Sequence, residues 1–330
     1  MASSMLSETL TVSSPMSLQA SRPAADSVLD LIGSTPLIEL SRSVPTDHGA
    51  AMFIKHEGYN PAGSMRDRTL LDIIHCAEGA GLLKPGDEVV LAGATNSAIS
   101  AAMIAHTRGY RVRVFHPRDG HRRLLKLLME TGAKLSRSPE SLGLDGAQQA
   151  AAAYAREASD RVFIDGQRRE STAEALGRIA QEIVHALGDI RLGGFVTSVS
   201  TGATLKHVAH ALRLINPDIE VAGVMLDAPE ERQALYDGVP AQQRSTPEEL
   251  KEVRGEIIQV AEIEAWRMRS RIARSEGMLI GPKGAAAVLG ALQIRHVVPP
   301  DQAIVALSID GGQRYLSAIP NDIALALASP

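Results

Sequence analysis

The chain has 330 residues, is 45% hydrophobic and carries a net charge of −4 with both signs interspersed. That length buries a large core, in two domains or one large α/β unit, and such a charge balance gives no basis for binding nucleic acid or an anionic membrane. The single cysteine, Cys76, excludes an intrachain disulfide and a multi-cysteine metal site and fits a reducing cytoplasm, and no uncharged apolar run approaches the roughly 20 residues of a membrane span.

Residues 1–26 are rich in Ser, Ala and Thr, without a basic start or a compact apolar core. They read as a flexible tail and not as a secretory signal. From there, short β-rich runs alternate with longer amphipathic ones. Glu88–Ala92 predicts a buried strand and Ser97–Gly109 a helix ending on glycine. Arg111–Phe115 is the next strand, and Arg122–Thr131 a helix that stops before Gly132. Val162–Ile164, Gly194–Thr197 and Glu220–Val224 read as strands, with helices over Ser171–Leu187 and Thr204–Ile215. The charged stretch Pro229–Gly255 lacks periodicity and reads as a surface excursion; Ala303–Leu307 is a late strand. Strands separated by helices of this length imply parallel sheets covered on both faces.

Several motifs carry more than secondary structure. Asn60-Pro61-Ala62-Gly63-Ser64-Met65-Arg66-Asp67-Arg68 resembles the N-P-G-G-S-x-K-D-R signature of the cysteine synthase and cystathionine β-synthase family. Ile32–Leu37 resembles I-G-N-T-P-L, and Lys55, Glu57, Asn60 and Pro61 resemble K-x-E-x-x-N-P. Gly81–Asp87 resembles G-L-L-K-P-G-D, and Gly312–Ser317 resembles G-E-R-Y-L-S. The matches keep the family's order over about residues 27–318. The resemblance implies the α/β, fold-type II architecture of pyridoxal phosphate (PLP) enzymes: two α/β domains with a ligand cleft between them, usually dimeric. Residues 27–62 and about 168–318 would form the larger domain and about 63–167 a smaller one inserted in it, with a C-terminal tail at 319–330.

Four departures fall where the family handles cofactor or substrate. Arg66 stands at the family's Schiff-base lysine, and a guanidinium does not shed its proton to become a nucleophile. Gly93–Ala98 replaces T-S-G-N-T-G; Asn96 stays in register, flanked by Thr95 and Ser97, in a loop that grips the substrate carboxylate in the family. Ser198–Thr204 replaces the phosphate-cradling G-x-G-T-G-G-T, keeping Thr201, Gly202 and Thr204 and placing Ser200 at a glycine. Gly281–Ala286 aligns with G-I-S-S-G-A, so that Lys283 falls on or beside the serine that faces the pyridine nitrogen. The family's G-I-G-A-G element has no match between Asp227 and Val260.

The candidate catalytic residues are therefore Arg66 and Lys283, with Asn96, Thr95, Ser97, Ser200, Thr201, Gly202, Thr204 and Gln167 as cofactor- or ligand-binding candidates. Arg66 and Lys283 together would make the cleft more cationic than the family's. His207 and His210 are three apart on a helix but lack a third ligand, so no metal site is expected. Cys76 reads as a buried small hydrophobe. The function expected is a cytoplasmic, repurposed member that holds no PLP covalently and binds a small anionic or amino-acid-like ligand, as a PLP-independent enzyme of specialised metabolism. The alternatives are a catalytically silent partner of an active homologue, in a heteromer, and a PLP β-replacement enzyme holding its cofactor in a non-standard way. A homodimer is the expected assembly.

Overall fold

Strands that read as near-continuous Val, Ile, Leu and Ala are buried on both faces, which requires helices on each side of a parallel sheet. The computed structural model describes residues 24–45, 49–117, 122–139, 142–165, 173–229, 232–233, 236, 244–316 and 319–328. Its strands, in chain order, are β1 (Leu37–Glu39), β2 (Ala51–His56), β3 (Glu88–Ala92), β4 (Arg111–His116), β5 (Lys134–Arg137), β6 (Arg161–Phe163), β7 (Leu192–Ser198), β8 (Glu220–Asp227), β9 (Glu256–Ala261) and β10 (Ala303–Ser308). They form a six-stranded sheet, β1-β2-β10-β7-β8-β9, and a four-stranded sheet, β5-β4-β3-β6. Every pairing is parallel except β1 with β2. The protein is thus α/β, as expected.

The helices are α1 (Arg66–Gly79), α2 (Asn96–Thr107), α3 (Arg122–Glu130), α4 (Gly143–Arg156), α5 (Ala173–Leu187), α6 (Ala203–Ile215), α7 (Glu262–Ser275), α8 (Pro282–Ile294) and α9 (Asn321–Ala328). On one face of the large sheet, α7 and α8 bury Trp266, Ile272 and Val288 against Val196, Ala222 and Ile304. On the other face, α5 and α6 bury Ile179, Ile183, Val208 and Leu212 against Phe195 and Val305. The small sheet has its own core, in which Leu70, Ile74, Ile99 and Ile104 meet Val89, Leu91 and Val114.

Three expectations change. Cys76 is exposed: α1 buries Leu70, Ile73 and Ile74, and the 100° step per residue carries position 76 away from that face. The stretch expected as a surface excursion contributes to the interior, since Tyr236, Leu250 and Val253 are buried. Its charged residues hid anchors that have no common period. The expected C-terminal tail contains α9, whose Ile323 is buried in the core that α7 and α8 cover. Most of the N-terminal 26 residues lie outside the described residues.

Candidate functional site

The start of α1 is placed by backbone bonds to the end of β10. Met65 N–H donates to the Ile309 carbonyl at 2.9 Å, Gly311 N–H donates to the Gly63 carbonyl at 3.1 Å, and Ser64 bridges Asp310. Asp67 folds back on the same segment. Its carboxylate accepts from Ala62 N–H at 2.6 Å and from the Ser100 hydroxyl at 2.5 Å, tying α1 to α2. Burial pushes the Asp67 carboxyl up to about 6.

Within the first turn of α1, Arg68 anchors the helix. It grips Glu57 through Nε at 2.7 Å and Nη2 at 3.0 Å, and Glu182 of α5 through Nη1 at 2.6 Å and Nη2 at 2.7 Å. Lys55 joins Glu182 at 2.6 Å, and Asn60 donates to Glu57 at 2.8 Å while accepting from Gly33 N–H at 2.8 Å. Burial alone would raise the Glu182 carboxyl, but Arg68 and Lys55 hold it down at about 2. Lys55, Glu57 and Asn60, read in the sequence as the approach to a catalytic position, are thus the buried ion-pair network that fixes where α1 begins.

That anchoring brings most of the candidates to one crevice, at the carboxyl ends of β7 and β10, where ligands of open parallel sheets bind. Asn96 opens α2 and donates to Asp310 Oδ2 at 2.8 Å. Its Oδ1 accepts from Arg314. Thr95 is the N-cap of α2 and accepts from Ala98 N–H at 3.2 Å, so its oxygen serves the helix; Ser97, half-buried, lies in the first turn. From the opposite side, Lys283 at the start of α8 is 2% exposed and donates to the Ser200 hydroxyl at 2.9 Å. Ser200 and Thr201, both half-buried, lead to Gly202, whose φ of 74° is the left-handed turn that starts α6. Thr204 lies beside Met65, its hydroxyl 3.9 Å from the sulfur. Gln167 lies outside the described residues.

Arg66 occupies the first position of α1, half-buried. Desolvation lowers its pKa from the usual guanidinium value, and Asp165, just past β6, opposes that. It stays charged. Lys283 in turn attracts Asp310. The cations of the crevice therefore come with acids, and the surplus of positive charge expected from Arg66 and Lys283 is offset by Asp165 and Asp310.

Asp310 was not singled out in the sequence, and Arg314 and Tyr315 entered only as part of the Gly312–Ser317 motif, not as site candidates. Asp310 is fully buried and accepts from Tyr315 at 2.6 Å as well as from Asn96. Burial raises its carboxyl, and its Oδ1 has no partner among the described residues. The available signal was an acid three residues beyond a predicted parallel strand, at the sheet edge where such sites form. Among the described residues no group of three or more His, Cys, Asp or Glu side chains is arranged to hold a metal.

Comparison with known proteins follows this geometry. A family model for pyridoxal-phosphate dependent enzymes matches residues 28–310. A probable cysteine synthase of Bacillus subtilis is 33% identical over 304 residues, covering 87% of this chain and 95% of the relative. The O-ureido-L-serine synthase of Streptomyces lavendulae is 32% identical over 309 residues, covering 89% and 92%. A crystal structure of O-ureido-L-serine synthase superposes with a TM-score of 0.77 at 30% identity, over 92% of this chain and 100% of that one. A cysteine synthase from Entamoeba histolytica gives the same TM-score of 0.77 at 23% identity, a likeness of fold.

The residues fit the two ends of PLP differently. At the phosphate end, the first-turn N–H groups of α6 have no intrahelical acceptor, and Thr201 and Thr204 add hydroxyls, which suits an anion. At the aldehyde end, Arg66 offers no amine for an imine.

Proposed function

This chain belongs to the family of pyridoxal-phosphate dependent enzymes, and from that premise we propose that it is a cysteine synthase-like member repurposed to act on a small anionic or amino-acid-like ligand without a covalent link to PLP. The observation that carries this reading is Arg66 at the first position of α1, two residues after Ser64, whose backbone bridges Asp310. Paired charges of both signs suit a zwitterion better than a bare anion. Arg66 would take the ligand's carboxylate or phosphate in bidentate fashion. The N–H groups opening α6, with Thr201 and Thr204, would take a second anionic group. Asn96, held by Asp310 and Arg314, is oriented before any ligand arrives, which lowers the cost of binding.

A second reading has specific support in the α6 cradle: PLP bound through its phosphate alone. When bound, PLP supplies an electron sink for amino-acid chemistry. Thr201, Gly202 and Thr204 would hold it. The assembly we propose is a homodimer, and a heteromer with an active homologue is what a silent partner would form.

Calorimetry with phosphate, PLP, O-phosphoserine and small dicarboxylates tests the reading. A charge-assisted bond from Arg66 contributes roughly 1.5–3 kcal/mol, so Arg66→Ala weakens binding about tenfold or more. Arg66→Lys keeps part of the affinity through charge and loses the bidentate geometry. Binding that Arg66→Ala leaves unchanged would make Arg66 structural and end this assignment.

A further inference from the structure

We propose that Ser200 and Lys283 form a nucleophile–base pair, and that the protein transfers or hydrolyses the acyl group of small carboxylate-bearing esters. The substrate class rests on the amino-acid-like ligand proposed above; the pair itself rests on separate geometry. Ser200 sits in the turn between β7 and α6, two residues past the end of a buried parallel strand and two before a left-handed glycine, Gly202. A serine in a strand-to-helix turn stands its hydroxyl at the carboxyl edge of the sheet, in front of the next helix's free N–H groups. Here that hydroxyl is half-buried and lies 2.9 Å from the amine of Lys283. Lys283 is 2% exposed, and Asp310, fully buried at the end of β10, attracts it. A nucleophile within hydrogen-bond reach of a base is the arrangement that activates serine hydroxyls.

In this reaction Ser200 Oγ attacks the carbonyl carbon of the ester while its proton passes to Lys283 Nζ, which forms the lysinium. The oxyanion of the tetrahedral adduct is stabilised by the N–H groups opening α6. The bond to the alcohol oxygen then breaks, and Lys283 returns the proton to that oxygen. Water or a second nucleophile, deprotonated by the same amine, attacks the acyl group on Ser200 and releases it. Asp310 stabilises the lysinium formed in each half. No oxidant or reductant is required.

The test is covalent labelling with a fluorophosphonate probe, with the modified residue located by mass spectrometry. The expected result is one adduct, on Ser200, absent from Ser200→Ala and retained in Ser198→Ala. Lys283→Met should slow labelling by about 10²–10⁴-fold, the usual contribution of a general base, and Lys283→Arg, which keeps the charge but cannot accept a proton, should slow it comparably. Thermal melts establish that each variant is folded. Should Lys283→Met fail to fold, Lys283→Arg and the site of labelling in the wild type decide. Wild-type protein that takes no label on Ser200, or labelling indifferent to Lys283, overturns the pair. Anion binding that depends on Arg66 in a protein that takes no label would sink the nucleophile and leave the ligand reading standing. A Ser200 adduct without such binding would do the reverse.

Discussion

At the scale of single residues, the proposed function turns on position 66. A lysine there would offer an amine that can deprotonate; the guanidinium of Arg66 offers a fixed charge and five donors. Exchanging Arg66 for lysine restores one group among several. Ser200 and Lys283 remain bonded across the α6 loop, and Asn96 remains engaged by Asp310 and Arg314. Catalytic groups act as a unit, so Arg66→Lys alone is expected to recover no efficient synthesis of cysteine from O-acetylserine and sulfide. Substantial turnover in a steady-state assay would show that the neighbouring loops matter less than argued. The sequence made Arg66 legible because its flanking motif is intact. It left the work of that motif obscure, since Lys55, Glu57, Asn60 and Arg68 look catalytic by position yet spend their polar atoms on one another and on Glu182.

At the scale of elements, the junction of β2, α1 and α2 carries a pH signature. His56, at the end of β2, is buried, and burial lowers its pKa to about 4. Between about pH 6.5 and 4 the unfolded chain therefore binds more protons there than the folded one, and stability falls as the pH falls. Asp67, raised to about 6 by burial, works the other way: the folded state holds its proton more tightly, so that group adds stability as the pH falls from about 6 to 4. His56→Asn removes the first effect and leaves the second. Its stability relative to wild type is expected to improve by up to roughly 3 kcal/mol on acidification through that window. Equal slopes in urea titrations of the two proteins across pH 4–6.5 would contradict the assignment to His56. The start of α8 is constrained by shape. A Cβ at Gly281 would fall 2.0 Å from Asp310 Oδ1, so Gly281→Ala is expected to cost about 1–3 kcal/mol and to disturb the Asn96–Asp310 bond. An unchanged melting temperature would mean that Asp310 has room to move.

At the scale of the whole molecule, two sheets, parallel apart from β1, bring loops far apart in sequence to one crevice, and no helix among the described residues is long and apolar enough to cross a membrane. Borohydride reduction of protein purified with PLP present, followed by peptide mass spectrometry, is expected to yield no pyridoxyl-modified lysine. Modification at Lys283 would replace the present reading with a relocated attachment. The apolar strand runs and the ordered motifs determined the α/β class and the family from the sequence alone. Buried parallel strands must be continuously apolar, and the turn and anchor residues of the motifs tolerate few substitutes. Strand β2, with Lys55 and His56 inside it, and helix α8, seen first as a cofactor motif, were not legible as elements because local pattern does not separate a buried ion pair or a glycine-rich helix from a loop. Only the tertiary structure decided that Lys283 meets Ser200, that Asp310 holds Asn96, and that Asp165 faces the charge of Arg66. Those contacts join residues dozens to hundreds of positions apart, and hydrogen bonds and Coulomb attraction depend on distance in space, which composition and periodicity do not carry.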